Sequence, residues 1–230
     1  MNGYDYIKRN YEALTAELSD IAFRVGVTVP TLVAVTKSGS DEELIALAEA
    51  GASDIGENRP GELIRRADLL SERGYAPRLH QIGTLQSNKA KLVAPRAALI
   101  HSLDSDSLLR ELSRQAMRLS VKIPVLIEIN CAEEPQKGGI LPSDAESFLE
   151  RVLEHTEILP CGLMTMGPVT HSPEELRPYF RATRSLFDKL NAQYGFGDAP
   201  VLSMGMSDSY RVAIEEGSTL VRVGRKLFIK

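Results

Sequence analysis

The stretch TLVAVTKSGSDEELIALAEAGASDIG, residues 31–56, holds a complete strand–helix–strand unit. Residues 31–36 are a short run of apolar and β-branched side chains, which predicts a strand. Residues 41–51 place apolar side chains three and four apart. Asp41, Glu42 and Glu43 stand at the start, where a helix dipole favours acids, and Gly51 falls just past the end. Residues 53–56 make a second short strand. A strand, a helix and a second strand in one short span predict a parallel βα arrangement.

The same alternation continues to the end of the chain. Strands are predicted near 78–82, 97–101, 123–130, 158–164, 200–203 and 219–223. Helical spacing recurs at 107–119 and at 175–195, where Pro178 must occupy an early turn or kink the helix. A further helix, roughly 4–23, precedes the first strand. Eight strands separated by helices in 230 residues predict an α/β fold, a (β/α)8 TIM barrel with an extra N-terminal helix, forming a single domain over 1–230. No normal eighth helix follows the last strand, so the opening helix is expected to cover the wall it would have covered. The alternative is an open doubly wound sheet, but no GxGxxG follows the first strand.

Composition narrows the function classes. Hydrophobic residues make up 43% of the chain and the formal net charge is -4, with both signs dispersed. No basic stripe favours nucleic acid. The N-terminus lacks the apolar core of a signal peptide, and the longest apolar runs, such as IPVLIEI, fall well short of a membrane span. Cys131 and Cys161 lie in different segments, which argues for reduced thiols and a cytoplasmic chain. The four histidines show no HExxH spacing, so metal chemistry is disfavoured. The acids of AEEPQ (132–136) read as a solvated loop.

In a barrel, chemistry gathers at the carboxyl ends of the strands. Strand one leads into Lys37. Alternation puts Val33, Val35 and Lys37 on one side. Its amine either snorkels to solvent at the rim or serves as a nucleophile that forms a Schiff base with a carbonyl. Strand seven leads into SMGMSDSY (203–210), which reads as a phosphate cradle. Gly205 permits close backbone approach, Ser203 and Ser207 offer hydroxyls, and Ser207 or Asp208 is placed to cap the next helix. Strand eight ends in RVGRK, with a second glycine, Gly224. A lysine for a carbonyl and a cradle for a phosphate suit either pyridoxal 5'-phosphate (PLP) or a phosphosugar in a lysine-dependent aldolase. Arg222 shares a side with Leu220 and Gly224. Against a pyridine nitrogen it would keep that nitrogen unprotonated and favour holding the ring over carbanion chemistry. Its alternative role is an ion pair with Glu215 or Glu216.

The segments VAVTK, GEN, HQIGTLQSNK, HSLDS, IEINCAEEPQKGGI, GLMTM, SMGMSDS and STLVRVG span residues 33–224 in this order. Together they resemble the pyridoxal-phosphate homeostasis protein family, whose fold is like the N-terminal barrel of alanine racemase. The resemblance implies Lys37 as the Schiff-base lysine and Asn58 beside the cofactor. It implies Ser203, Ser207 and the backbone around Gly224 at the phosphate, Arg222 at the pyridine nitrogen, and a role for Lys137 in the loop after strand five. It also implies a part in managing intracellular PLP supply and amino-acid balance. Three departures from the family pattern bear on the rim: Arg59 after GEN, SGS after Lys37, and Arg225 after VRVG. Arg225 removes a hydroxyl from the phosphate site but offers charge.

The expected role is therefore a PLP binder without robust catalysis, because the second domain that gives alanine racemase its catalytic tyrosine has no counterpart in these residues. PLP-dependent apo-enzymes are a candidate partner class, and a monomer is expected, with no nucleic acid or membrane partner. The alternative is a PLP enzyme of modest racemase or lyase activity, with Lys137, His80, His101 and Cys131 as acid–base candidates. For His80 a hydrogen-bonded core position is the plainer reading, and for Cys131 a small buried filler.

Overall fold

Alternation along the strands sorts side chains into two layers, one inside a closed ring of strands and one outside it. The computed structural model describes residues 3–170 and 172–230. Its strands are β1 (Thr31–Val35), β2 (Asp54–Glu57), β3 (Arg78–Gln81), β4 (Leu99–Leu103), β5 (Ile123–Ile129), β6 (Ile158–Thr165), β7 (Val201–Ser203) and β8 (Leu220–Val223). Each pairs in parallel with the next, and β8 pairs with β1, so the sheet closes into the expected barrel. Val33, Val35, Ile82, Leu99, Leu126, Met164 and Leu220 pack together inside it. Outward residues such as Ile100, Val125, Ile127 and Leu202 pack against helix residues such as Leu112, Phe148, Leu149 and Leu190.

The helices are α1 (Asp5–Val25), α2 (Asp41–Glu49), α3 (Pro60–Glu72), α4 (Ala90–Val93), α5 (Asp106–Leu119), α6 (Ala145–Leu153), α7 (Arg177–Tyr194) and α8 (Tyr210–Glu215). Helix α2 starts on a reciprocal cap. Ser40 accepts from the Glu43 N–H, and the Glu43 carboxylate accepts from the Ser40 N–H. In α7, Pro178 sits in the first turn, where its missing N–H costs nothing. After β8 the chain makes a 3-10 turn, Arg225–Leu227. Helix α1 takes the place beside it. Its Ile7, Leu14, Leu18 and Ile21 pack in one cluster with Ala34 of β1, Val221 and Val223 of β8, and residues of α2 and α8. The opening helix thus covers the seam between the first and last strands.

Two local expectations shift. Strand β1 ends at Val35, so Lys37 lies in the turn that follows rather than on the strand. Helix α8 begins one or two residues later than the serine and aspartate expected to cap it, with Ser209 at its N-cap. The Ser209 hydroxyl accepts from the Met206 N–H at 3.1 Å, which ties off the preceding turn.

Candidate functional site

The carboxyl ends of the strands surround a cavity of about 610 Å³, lined by Lys37, Asn58, Ser207, Arg222, Gly224 and Arg225 among others. Strands β1 and β8 bring the two halves of this group together. Val33 stands opposite Arg222 and Ala34 opposite Val223, so the residues just beyond each pair share one rim. Of the two readings of Lys37, the structure has features of both: the side chain is exposed, and it lines the cavity.

The turn carrying Lys37 is held from below by Arg66 of α3. Its guanidinium donates to the Thr36 carbonyl, to the Gly39 carbonyl at 2.8 Å and to the Glu57 carboxylate at 2.8 Å. The Thr36 hydroxyl donates to the same carboxylate. Burial raises the Glu57 pKa above its ordinary value, against the opposing pull of Thr36 and Arg66. The sequence reading passed over Arg66, although a signal was present. Leu63, Arg66 and Leu70 form the buried stripe of α3, and an arginine at helical spacing among leucines must have a buried partner.

The segment after β7 is a tight turn packed on α8. Gly205 has φ +92°, and a Cβ there would lie 2.6 Å from the Cβ of Ala213. Gly224 is required by proximity alone, since a Cβ would lie 2.9 Å from the Val35 carbonyl oxygen. Ser207 is buried, and its hydroxyl accepts from the Gly224 N–H at 3.3 Å, linking the two loops. The N–H groups of Ser207 and Asp208 make no hydrogen bond among the described residues. Arg225 pairs with Asp208 across the rim. Asn58 flanks the opposite side. Its carbonyl accepts from the Gln81 side chain at 2.9 Å.

Ser203 has a different setting from the cradle expected of it. Its side chain lies inside the barrel, fully buried, and its hydroxyl accepts from Arg222 Nη1 at 2.5 Å and lies 3.1 Å from His101 Nδ1. Arg222 also donates to the carbonyls of Ser203 and Thr165, at 3.0 and 3.1 Å. Burial pushes its pKa down to about 10, with Glu128 pulling the other way. Glu215 and Glu216, the alternative partners considered for it, pair instead with Arg177 and Arg181. Behind Ser203 a buried chain continues: His101 Nε2 lies 3.0 Å from His80 Nδ1, and His80 Nε2 lies 2.9 Å from Asp54 Oδ1. Burial, then the neighbouring His80 and Arg222, hold the His101 pKa well below the usual imidazole range. Burial alone would raise the Asp54 pKa, but hydrogen bonds from His80, Arg78 and Ser53 bring it down to about 2. His80 is thus a hydrogen-bonded core residue.

The remaining candidates lie to one side. Lys137 Nζ is 2.7 Å from Glu134 Oε1 and 3.2 Å from the Gly167 carbonyl, beside a smaller second cavity. Cys131 is half-buried, and burial pushes its thiol pKa up.

Residues 9–229 match the family described as alanine racemase, N-terminal domain. A pyridoxal phosphate homeostasis protein of Aquifex aeolicus is 38% identical over 203 residues, 88% of each chain. The solved structure of PipY from Synechococcus elongatus PCC7942, with PLP bound, is 28% identical with a TM-score of 0.85, covering 97% of this chain and 100% of that one. A structure described as an unknown protein from Bifidobacterium adolescentis is 32% identical with a TM-score of 0.89, covering 98% and 95%. The chain belongs to the pyridoxal phosphate homeostasis protein family, built on the barrel of the alanine racemase N-terminal domain.

Proposed function

We propose that this chain binds PLP across its barrel mouth and takes part in keeping the cytoplasmic PLP supply. One observation carries the proposal: an exposed primary amine, a tight turn with free N–H groups and a buried guanidinium line one cavity. The fit to the cofactor is chemical at each end. Lys37 is the amine that takes up the aldehyde, on a turn that Arg66 holds in place. The Ser207 and Asp208 N–H groups, with Arg225 on the rim, receive the phosphate. Arg222 would stand at the pyridine nitrogen, where a cation would keep that nitrogen from being protonated. PLP supplies an electrophilic carbonyl when bound. Ser203 contributes by orienting Arg222 rather than by touching phosphate. A monomer that passes the cofactor to apo-enzymes fits this arrangement, and the open rim leaves a route for the transfer.

Absorbance of the purified chain with added PLP, followed by borohydride reduction and peptide mapping, tests the reading. The yellow chromophore should form, and the reduced label should map to Lys37. Lys37→Ala should take up PLP without the chromophore. A label on another lysine would overturn the site.

A further inference from the structure

The mouth cavity adjoins a second one, of about 250 Å³, between the ends of β5 and β6. Thr84, Met166, Gly167, Val169 and Met206 line both, so occupants of the two would touch. In the order of the closed barrel β5 stands four strands from β1, on the side opposite Lys37. The side cavity therefore faces the lysine across the mouth.

Glu128 of β5 lines this cavity. It is only 5% exposed, and its carboxyl makes no hydrogen bond among the described residues. Most donors nearby are directed elsewhere. Asn130 Nδ2 donates to the Glu134 carbonyl at 2.9 Å, Lys137 Nζ is held by Glu134 and Gly167, and Arg222 directs Nη1 at Ser203 and Nη2 at Thr165. The carboxyl faces the cavity without a protein donor, so an occupant of the cavity can supply one. Three charged groups set what that can be. Asp104, after β4, repels the Glu128 carboxylate; Arg222, from β8, attracts it; Lys137, from the loop after β5, is paired. Burial, then Asp104, raises the Glu128 pKa to about 7. A cationic donor would both fill the vacant hydrogen bond and offset the repulsion between the two acids, whereas a neutral hydroxyl would do only the first.

We infer that the side cavity is a subsite for a small primary amine, whose ammonium group donates to Glu128 while its carbon chain points toward the main cavity. The inference deepens the cofactor reading, because the carbon chain of an occupant reaches the main cavity that would hold PLP. The volume limits the guest to the size of a short amine or a small amino acid.

The full chain, free of PLP and labelled with ¹³C at glutamate carboxyls, provides the test. The Glu128 resonance is assigned by its loss in Glu128→Gln. Titration with propylamine should shift that resonance saturably, and titration with propanol should not. Loss of a charge-assisted hydrogen bond should weaken propylamine binding to Glu128→Gln by about tenfold or more. An unmoved Glu128 resonance, or an equal response to the alcohol, would overturn the subsite. On the PLP-loaded chain, Glu128→Gln should keep PLP uptake, and its propylamine affinity should fall by the same order, about tenfold. An unchanged propylamine affinity would also count against it. Failure of the wild type to take up PLP at all would strike the cofactor reading and leave the carboxyl titration standing.

Discussion

Lys37 is exposed, yet its place is set by groups it does not touch. Arg66 brackets it by donating to two backbone carbonyls, Thr36 before it and Gly39 after it, while Glu57 neutralises the guanidinium from beneath. Both partners of the pair are nearly out of solvent, 6% and 3% exposed at the side chain. Removing the arginine leaves a buried carboxylate uncompensated, which costs about 3–5 kcal/mol. Arg66→Ala should therefore be destabilised by that order, and the deficit should depend on pH. The Glu57 pKa is already raised in the folded state, and without Arg66 it rises further. A carboxyl raised on folding binds its proton more tightly in the native state. Its unfavourable contribution is absent below the unfolded value, builds up as pH rises from there toward the folded value, and is complete above it. Urea melts at pH 5 and pH 8 should thus show the larger loss at pH 8, and adding Glu57→Gln should recover part of it. Equal losses at both pH values would mean the ionised carboxylate plays no part. Lys37 itself was legible from its place at a strand end. Arg66 was less so, because its role depends on α3 folding back under the turn after β1.

At the scale of the element, α1 forms the wall over the β1–β8 seam. Leu18 is 1% exposed and packs in the cluster that covers Ala34, Val221 and Val223 at the β1–β8 seam. Truncating a leucine in such a place costs about 2–5 kcal/mol, the transfer term plus the cavity left behind. Leu18→Ala should lower the unfolding free energy by that amount in urea melts, while PLP uptake by the folded fraction stays as it was. A loss below about 1 kcal/mol would mean the helix is only loosely applied to the barrel. The strands were read well because most carry a short apolar run, and α1, α2, α5 and α7 by their period, while α3 and α6 were not singled out. What escaped was the meeting of side chains from different elements. His80 and His101 touch because β3 and β4 are neighbours in the barrel, with His80 opposite Leu99. No local pattern encodes that contact. Ser203 was read as a phosphate hydroxyl at the end of strand seven, but as the last residue of β7 it is turned by alternation into the barrel toward Arg222. The cap of α8 moved to Ser209 for a related reason: the turn at Gly205 uses up Ser207 and Asp208 before the helix can start.

At the scale of the whole molecule, the proposed ligand spans the place where the barrel closes. β1 meets β8 in register from Thr31 against Leu220 to Ala34 against Val223, and Lys37 lies just past one strand while Gly224 lies just past the other. A molecule bonded to Lys37 and cradled by the Ser207 and Gly224 loops would staple that seam from above, as α1 covers it from outside. Such a ligand binds only the closed barrel, so it must raise the melting temperature. At a hundredfold excess over its dissociation constant the gain is about 2.7 kcal/mol, or roughly 5–10 °C for a chain of this size. The two ends can be separated with pyridoxal, which lacks the phosphate, and pyridoxamine 5'-phosphate, which lacks the aldehyde. For the wild type, PLP should give the largest shift and each one-ended compound, at equal concentration, a smaller one. In Lys37→Ala the shifts with PLP and pyridoxamine 5'-phosphate should become equal, because only the phosphate hold remains. A full PLP shift retained in Lys37→Ala would mean that the seam is not bridged through this lysine. Equal shifts with pyridoxal and PLP in the wild type would remove the cradle, since the phosphate would then contribute nothing to the closed state.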